Sequence, residues 1–137
     1  MTNPDLLAKK LARVETCLRE LRQHGHPDAL DRDVIARRFV EHTLQIAIQA
    51  AMDAAAHVVS DERLREPSTN AQLFTLLRDA GCIDAALSGR LRQMVGFRNV
   101  LVHGYDEVDL DIVRDVLTHR LPDLEAFVEA IRRRTAT

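Results

Sequence analysis

The chain predicts an all-α protein, an antiparallel bundle of four to five helices. Three observations carry that expectation. Hydrophobic residues make up 46% of the 137 residues, aromatics only 4%, and there is no Trp. The core must therefore be built from Leu, Ile, Val and Ala, a composition that suits helices packed on helices. Five Gly and four Pro are too few for an architecture of strands and turns. Apolar residues also recur at spacings of three and four, the period of a helix. A chain of this length reads as a single domain, residues 1–137.

The elements follow in order. Asn3 caps a first helix, with Pro4 in its first turn. Leu7, Leu11, Val14, Leu18 and Leu21 form one narrow stripe, which places this helix on the outside of the bundle, and Gly25 and Pro27 end it. A long second helix runs from Asp28 or Asp31 to about Val59. Ile35, Phe39, Leu44, Ile46, Ile48, Met52, Ala55 and Val59 spread over more than one of its faces, so it is central or lies at an interface. Its polar members stand out. Asp53 and His57 are one turn apart and can pair; a buried, satisfied pair is the ordinary role for such residues.

Residues 60–69 form a polar connection containing Pro67. Asn70 caps a short helix closed by Gly81, and Asp84 caps a fourth helix. There Leu87, Leu91, Met94, Val95, Phe97, Leu101 and Val102 make a broad apolar face. Gly89 and Gly96 lie seven apart and permit close helix approach. The last helical region spans about Asp109 to Arg134, with Pro122 expected to break or kink it after His119 or Arg120.

Charge and thiols exclude several classes. A net charge of −2 is wrong for a protein that coats nucleic acid electrostatically, though a local basic site stays open. Residues 85–105 hold Arg90, Arg92 and Arg98 and no acid, while Asp106, Glu107, Asp109 and Asp111 follow at once. Cys17 and Cys82 lack the spacing of a zinc or redox motif and are expected to be buried and inert. Neither the Glu-x-x-His pairs of a helical metal site nor a phosphate-binding glycine loop is found, so no metal and no cofactor are expected. With no signal peptide or long apolar span, the expected location is the cytoplasm, without membrane attachment.

The most informative stretch is Arg98-Asn99-Val100-Leu101-Val102-His103-Gly104-Tyr105. Arg98 is a permanent cation that grips phosphate bidentately. His103 is the side-chain type that carries protons near neutral pH. Asn99 and Tyr105 add hydrogen-bonding groups, and Gly104 lets the backbone turn after the histidine. Arg98 and Tyr105 share a helical face, but His103 lies roughly 140° around the axis from Arg98 at about 100° per residue. Either the helix ends at His103 and Gly104 redirects the chain, or a second copy of the protein completes the site.

This Arg-x4-His-x-Tyr pattern, followed by Asp106, resembles the HEPN domain motif. Beyond the motif, the chain is similar to HepT-type toxins, small HEPN ribonucleases of toxin–antitoxin pairs. The segments that carry the likeness are residues 44–53, 87–105 and 123–127. The resemblance implies an endoribonuclease working without a metal at the cleft of a homodimer. In it Arg98 would stabilise phosphoryl charge and His103 act as general base or acid. Asn99 and Tyr105 would support them or bind the RNA substrate. It also implies a cognate MNT-type nucleotidyltransferase antitoxin that adenylylates Tyr105. The alternative is a non-catalytic HEPN interaction module that binds the nucleotidyltransferase. Arg98 would then pair with Asp106 or Glu107, His103 would cap its helix, and Tyr105 would pack on the bundle.

Overall fold

The computed structural model describes residues 3–104 and 108–136. Its elements are α1 (Pro4–His24), a 3-10 turn (Pro27–Ala29), α2 (Val34–Asp61), α3 (Asn70–Asp79), α4 (Ala85–His103), α5 (Leu110–Asp115), a π turn (Val116–Arg120) and α6 (Leu121–Thr135). The described residues contain no strand. The fold is the helical bundle that the sequence predicts.

Local capping chemistry starts the helices. Asn3 Oδ1 accepts from the Leu6 amide at 3.1 Å, and Asp84 Oδ1 accepts from Leu87 N at 2.7 Å, each satisfying an amide that the first turn leaves without a partner. Two starts differ from expectation. Helix α2 begins at Val34 because Asp33, not Asp28 or Asp31, accepts from the amides of Ile35 and Ala36. Residues 27–29 are spent on the 3-10 turn. Thr69 rather than Asn70 caps α3, its hydroxyl accepting from Gln72 N.

Helix α3 closes as expected at Gly81, whose φ of +82° belongs to the left-handed region where glycine is favoured. Cys82 N donates to Leu77 O across that turn. The same bond pattern closes α2, with Leu64 N donating to Val59 O and Arg63 at φ 55° in the glycine's place.

Helix α2 is the centre of the bundle and packs against α1, α3, α4 and α6. Twelve of its 28 residues are buried, which accounts for apolar side chains on several faces. Its first turn projects past the bundle, leaving Ile35 78% exposed. Helix α1 buries the predicted stripe, with Cys17 added to it. Helices α1 and α6 run antiparallel, as the ion pairs Glu15–Arg132 and Arg22–Glu125 show by their crossed order. Arg132 grips the Glu15 carboxylate with both terminal nitrogens and, chiefly through that bonding, holds the carboxyl below its usual range.

Pro122 perturbs the last helix where the sequence predicts, but without a break. The ladder widens into the π turn just before it, which accommodates the missing N–H and the ring's bulk. Cys17 and Cys82 are both buried, and burial pushes both thiols up. Phe74 and Phe127 meet edge to face in the core with ring centroids 5.7 Å apart, each at most 1% exposed. Phe127→Ala should therefore cost about 3–5 kcal/mol. A urea titration should show a lower midpoint at unchanged slope.

Candidate active site

Helix α4 presents its motif residues in two directions. Ser88 at its start is anchored, its hydroxyl donating to Phe74 O at 3.0 Å. Leu87, Leu91, Met94, Val95 and Phe97 are buried, so the rotation of the helix is fixed by its core face. Leu101 and Val102, expected in that face, are only half-buried. That rotation turns Arg98 towards α2. Asn99, Val100 and His103 point into solvent.

Arg98 enters a chain of polar contacts that spans three helices. Its Nη2 donates to Gln49 Oε1 at 2.6 Å. Gln49 Nε2 donates to Asp53 Oδ1 at 2.9 Å, and Lys10 Nζ on α1 donates to Asp53 Oδ2 at 3.1 Å. Gln49 and Asp53 are one helical turn apart, so both reach the same side of α2. The predicted pairing of Asp53 with His57 is not made. Asp53 faces Lys10 and Gln49, and His57 Nε2 is buried without a hydrogen-bond partner among the described residues.

Sequence reasoning missed Gln49 and Lys10. The signal for Gln49 was its i, i+4 spacing from Asp53 on the most apolar helix. Nothing in the sequence brings Lys10 to the group, because that meeting depends on how α1 docks.

The three arginines of α4 have separate roles. Arg90 pairs with Asp123, Nε to Oδ1 at 2.7 Å. Among the described residues Arg92 Nε reaches only the backbone oxygen of Ser88, at 3.4 Å. Arg98 meets no carboxylate among the described residues. Its predicted alternatives, Asp106 and Glu107, lie outside the described residues, as does Tyr105.

His103 is the last residue of α4, and Gly104 N donates to Val100 O at 2.6 Å to close the helix. The turn after the histidine does not use glycine's left-handed freedom, since Gly104 has φ −80°. What it needs is space: a Cβ there would sit 2.5 Å from the Val100 carbonyl oxygen. Arg98 and His103 thus stand on one uninterrupted helix, roughly 140° apart around its axis.

Gly96, Asn99, Val100 and His103 share an open face. The closeness expected at Gly89 and Gly96 is absent among the described residues. Among those residues a Cβ at Gly96 would meet nothing within 4 Å, and one at Gly89 only the end of the Arg92 side chain at 3.9 Å.

A family model described as "Ribonuclease HepT-like" matches residues 12–131. The chain belongs to the HepT-like ribonuclease family. Its enzyme class is accordingly that of an endoribonuclease. This HepT-like chain is 34% identical over 129 residues to the mRNA nuclease HepT of Shewanella oneidensis, covering 93% of the chain and 97% of that protein. It is 30% identical over 91 residues to the tRNA nuclease HepT of Aphanizomenon flos-aquae, covering 66% of the chain and 62% of that relative. Its fold is similar to the solved tri-AMPylated Shewanella oneidensis HEPN toxin in complex with its MNT antitoxin. The TM-score is 0.88 at 33% identity, over 97% of this chain and 99% of that one. No helix among the described residues is long and apolar enough to cross a membrane.

Proposed function

We propose that this chain is the toxin of a toxin–antitoxin pair, a single HEPN-like domain that cleaves RNA in the cytoplasm as a homodimer without a metal. The observation that carries the reading is the geometry of α4. Arg98 is turned inward to Gln49 while His103 faces solvent on another side of the same helix. One copy does not aim both at a single phosphate, whereas two copies meeting along their α4 faces supply an arginine and a histidine across a shared cleft. The open stripe at Gly89 and Gly96, with Val100 48% exposed beside it, offers a second helix a close approach.

In this mechanism the RNA 2′-hydroxyl attacks the adjacent phosphorus. A bond forms from the 2′-oxygen to phosphorus and the bond to the 5′-oxygen breaks. The His103 imidazole takes the 2′-hydroxyl proton and, once protonated, delivers it to the departing 5′-oxygen. Arg98 neutralises charge growing on the phosphoryl oxygens, and its tether to Gln49 holds the guanidinium in place. Asn99 hydrogen-bonds a substrate oxygen, and Tyr105 orients the strand by stacking or through its hydroxyl. The partner is an MNT-type nucleotidyltransferase that adenylylates Tyr105, placing a bulky anion where the RNA phosphate must bind. Support for that partner is the similarity to the AMPylated Shewanella toxin.

Cleavage of single-stranded RNA should persist in excess EDTA and leave 2′,3′-cyclic or 3′ phosphates. Mass spectrometry of the fragments is the check. A requirement for Mg²⁺ with 5′-phosphate products would sink the mechanism.

A further inference from the structure

Arg98 opens onto a cleft of about 190 Å³ between α1, α2 and α4, whose polar lining includes Lys10, Arg13, Gln45, Gln49 and Asp53. Its charge is opposite to that of the whole chain. Among the described residues three cations stand against one carboxylate, in a protein of net charge −2. The carboxylate is already engaged, since Asp53 is bonded by both Lys10 and Gln49.

The cations keep donors to spare. Of the five N–H donors of a guanidinium, Arg98 gives one to Gln49 and makes no other side-chain bond among the described residues. Its Nε is buried and has no partner among them. Arg13 is exposed and makes neither a hydrogen bond nor an ion pair among the described residues. Elsewhere on α1, Arg22 is paired with Glu125. A polar cavity with spare cationic donors is matched by an anion with several acceptor oxygens. At about 30 Å³ per water, the volume holds roughly six waters, ample for a phosphate group.

We propose that this cleft is a second phosphate subsite, which binds the RNA backbone at a phosphodiester neighbouring the one cut. Arg13 grips the non-bridging oxygens of that neighbouring phosphodiester, beside Arg98, whose free edge holds the one that is cut. Lys10 adds positive potential while tied to Asp53, and Gln45 is placed to hydrogen-bond a sugar or base edge. The inference rests on the reading of Arg98 as part of an RNA-cleaving site. It adds a contact on α1, outside the motif, that fixes the strand relative to Arg98 and Gln49.

The test measures binding rather than turnover. A single-stranded oligonucleotide with 2′-deoxy sugars cannot supply the attacking hydroxyl, so it binds without being cut. Its affinity for the full chain is followed by fluorescence anisotropy across a salt series, with sedimentation run in parallel. For single strands each phosphate contact contributes about 0.7 to the slope of log affinity against log salt. Arg13→Ala should flatten the slope by about that amount and weaken binding several-fold at low salt. Arg19→Ala is the control, an exposed arginine on the same helix that lines a different groove, and should leave the slope unchanged. Equal slopes for Arg13→Ala and the parent protein would overturn the subsite. So would an equal loss in Arg19→Ala, or a loss accompanied by a change in oligomeric state. Failure of the catalytic reading looks different: the parent protein would leave an all-ribose strand uncut, yet the Arg13 slope effect would remain.

Discussion

Arg98→Ala and His103→Ala are each expected to abolish RNA cleavage, yet an equal mixture of the two inactive proteins is expected to cut. Loss of Arg98 removes transition-state charge stabilisation of about 10²–10³-fold. Loss of His103 removes proton transfer of about 10²–10⁴-fold. If each site takes its arginine from one copy and its histidine from the other, a mixed dimer carries one intact site and one doubly damaged site. Random assortment makes half of the dimers mixed, so roughly a quarter of the parent activity should return. The measurement is fragment release after co-refolding or co-expression of the two variants. If the mixture stays as inactive as its components, the site does not draw on two copies in this way. Neither substitution removes a core side chain, since Arg98 is half-buried and His103 exposed. Circular dichroism should therefore show the parent helix content.

The second large effect concerns regulation. Tyr105→Phe should be refractory to adenylylation because the acceptor oxygen is gone, while the ring is kept. The variant should retain RNA cleavage and escape inactivation by a cognate nucleotidyltransferase. Incubation with the antitoxin and ATP, followed by intact mass, reads a gain of one or more AMP units in the parent protein and none in the variant. A variant that gains the same mass would place the modification elsewhere. Retention of activity separates this residue from Arg98 and His103, whose loss is chemical.

The helical architecture was legible because it depends on short-range pattern. The α1 stripe, the several apolar faces of α2 and the caps at Asn3 and Asp84 each need only a few neighbouring residues to be read. The errors lie where two local signals compete. Asp28, Asp31 and Asp33 are all capping residues, and only the third has the helix-start geometry, because Pro27 commits the preceding residues to a 3-10 turn. The end of α2 lacked a glycine to mark it, since Arg63 takes the left-handed position.

The site was legible only in part, for a related reason. Arg98, Asn99, His103 and Tyr105 are contiguous, so their spacing announces them. The contacts of Arg98 come from residues 45 to 88 positions away, Gln49 directly and Asp53 and Lys10 behind it. Such contacts depend on helix docking, which a period of 3.6 residues does not specify. Asp53 was singled out for the right reason, a carboxylate on an apolar helix, and assigned the wrong partner. His57 shares its face in sequence but not its neighbours in space.

The buried thiols make the dimer question open to spectroscopy. Cys17 and Cys82 are shielded, and their burial suppresses the thiolate that alkylating labels attack. A cysteine introduced at an exposed position in the first turn of α4, at Ala86 for example, would then be the fast-reacting sulfur in the folded protein. A spin or fluorescent label placed there needs no cysteine-free background. Its distance to the symmetry-related label would report directly how two copies of this helix face one another.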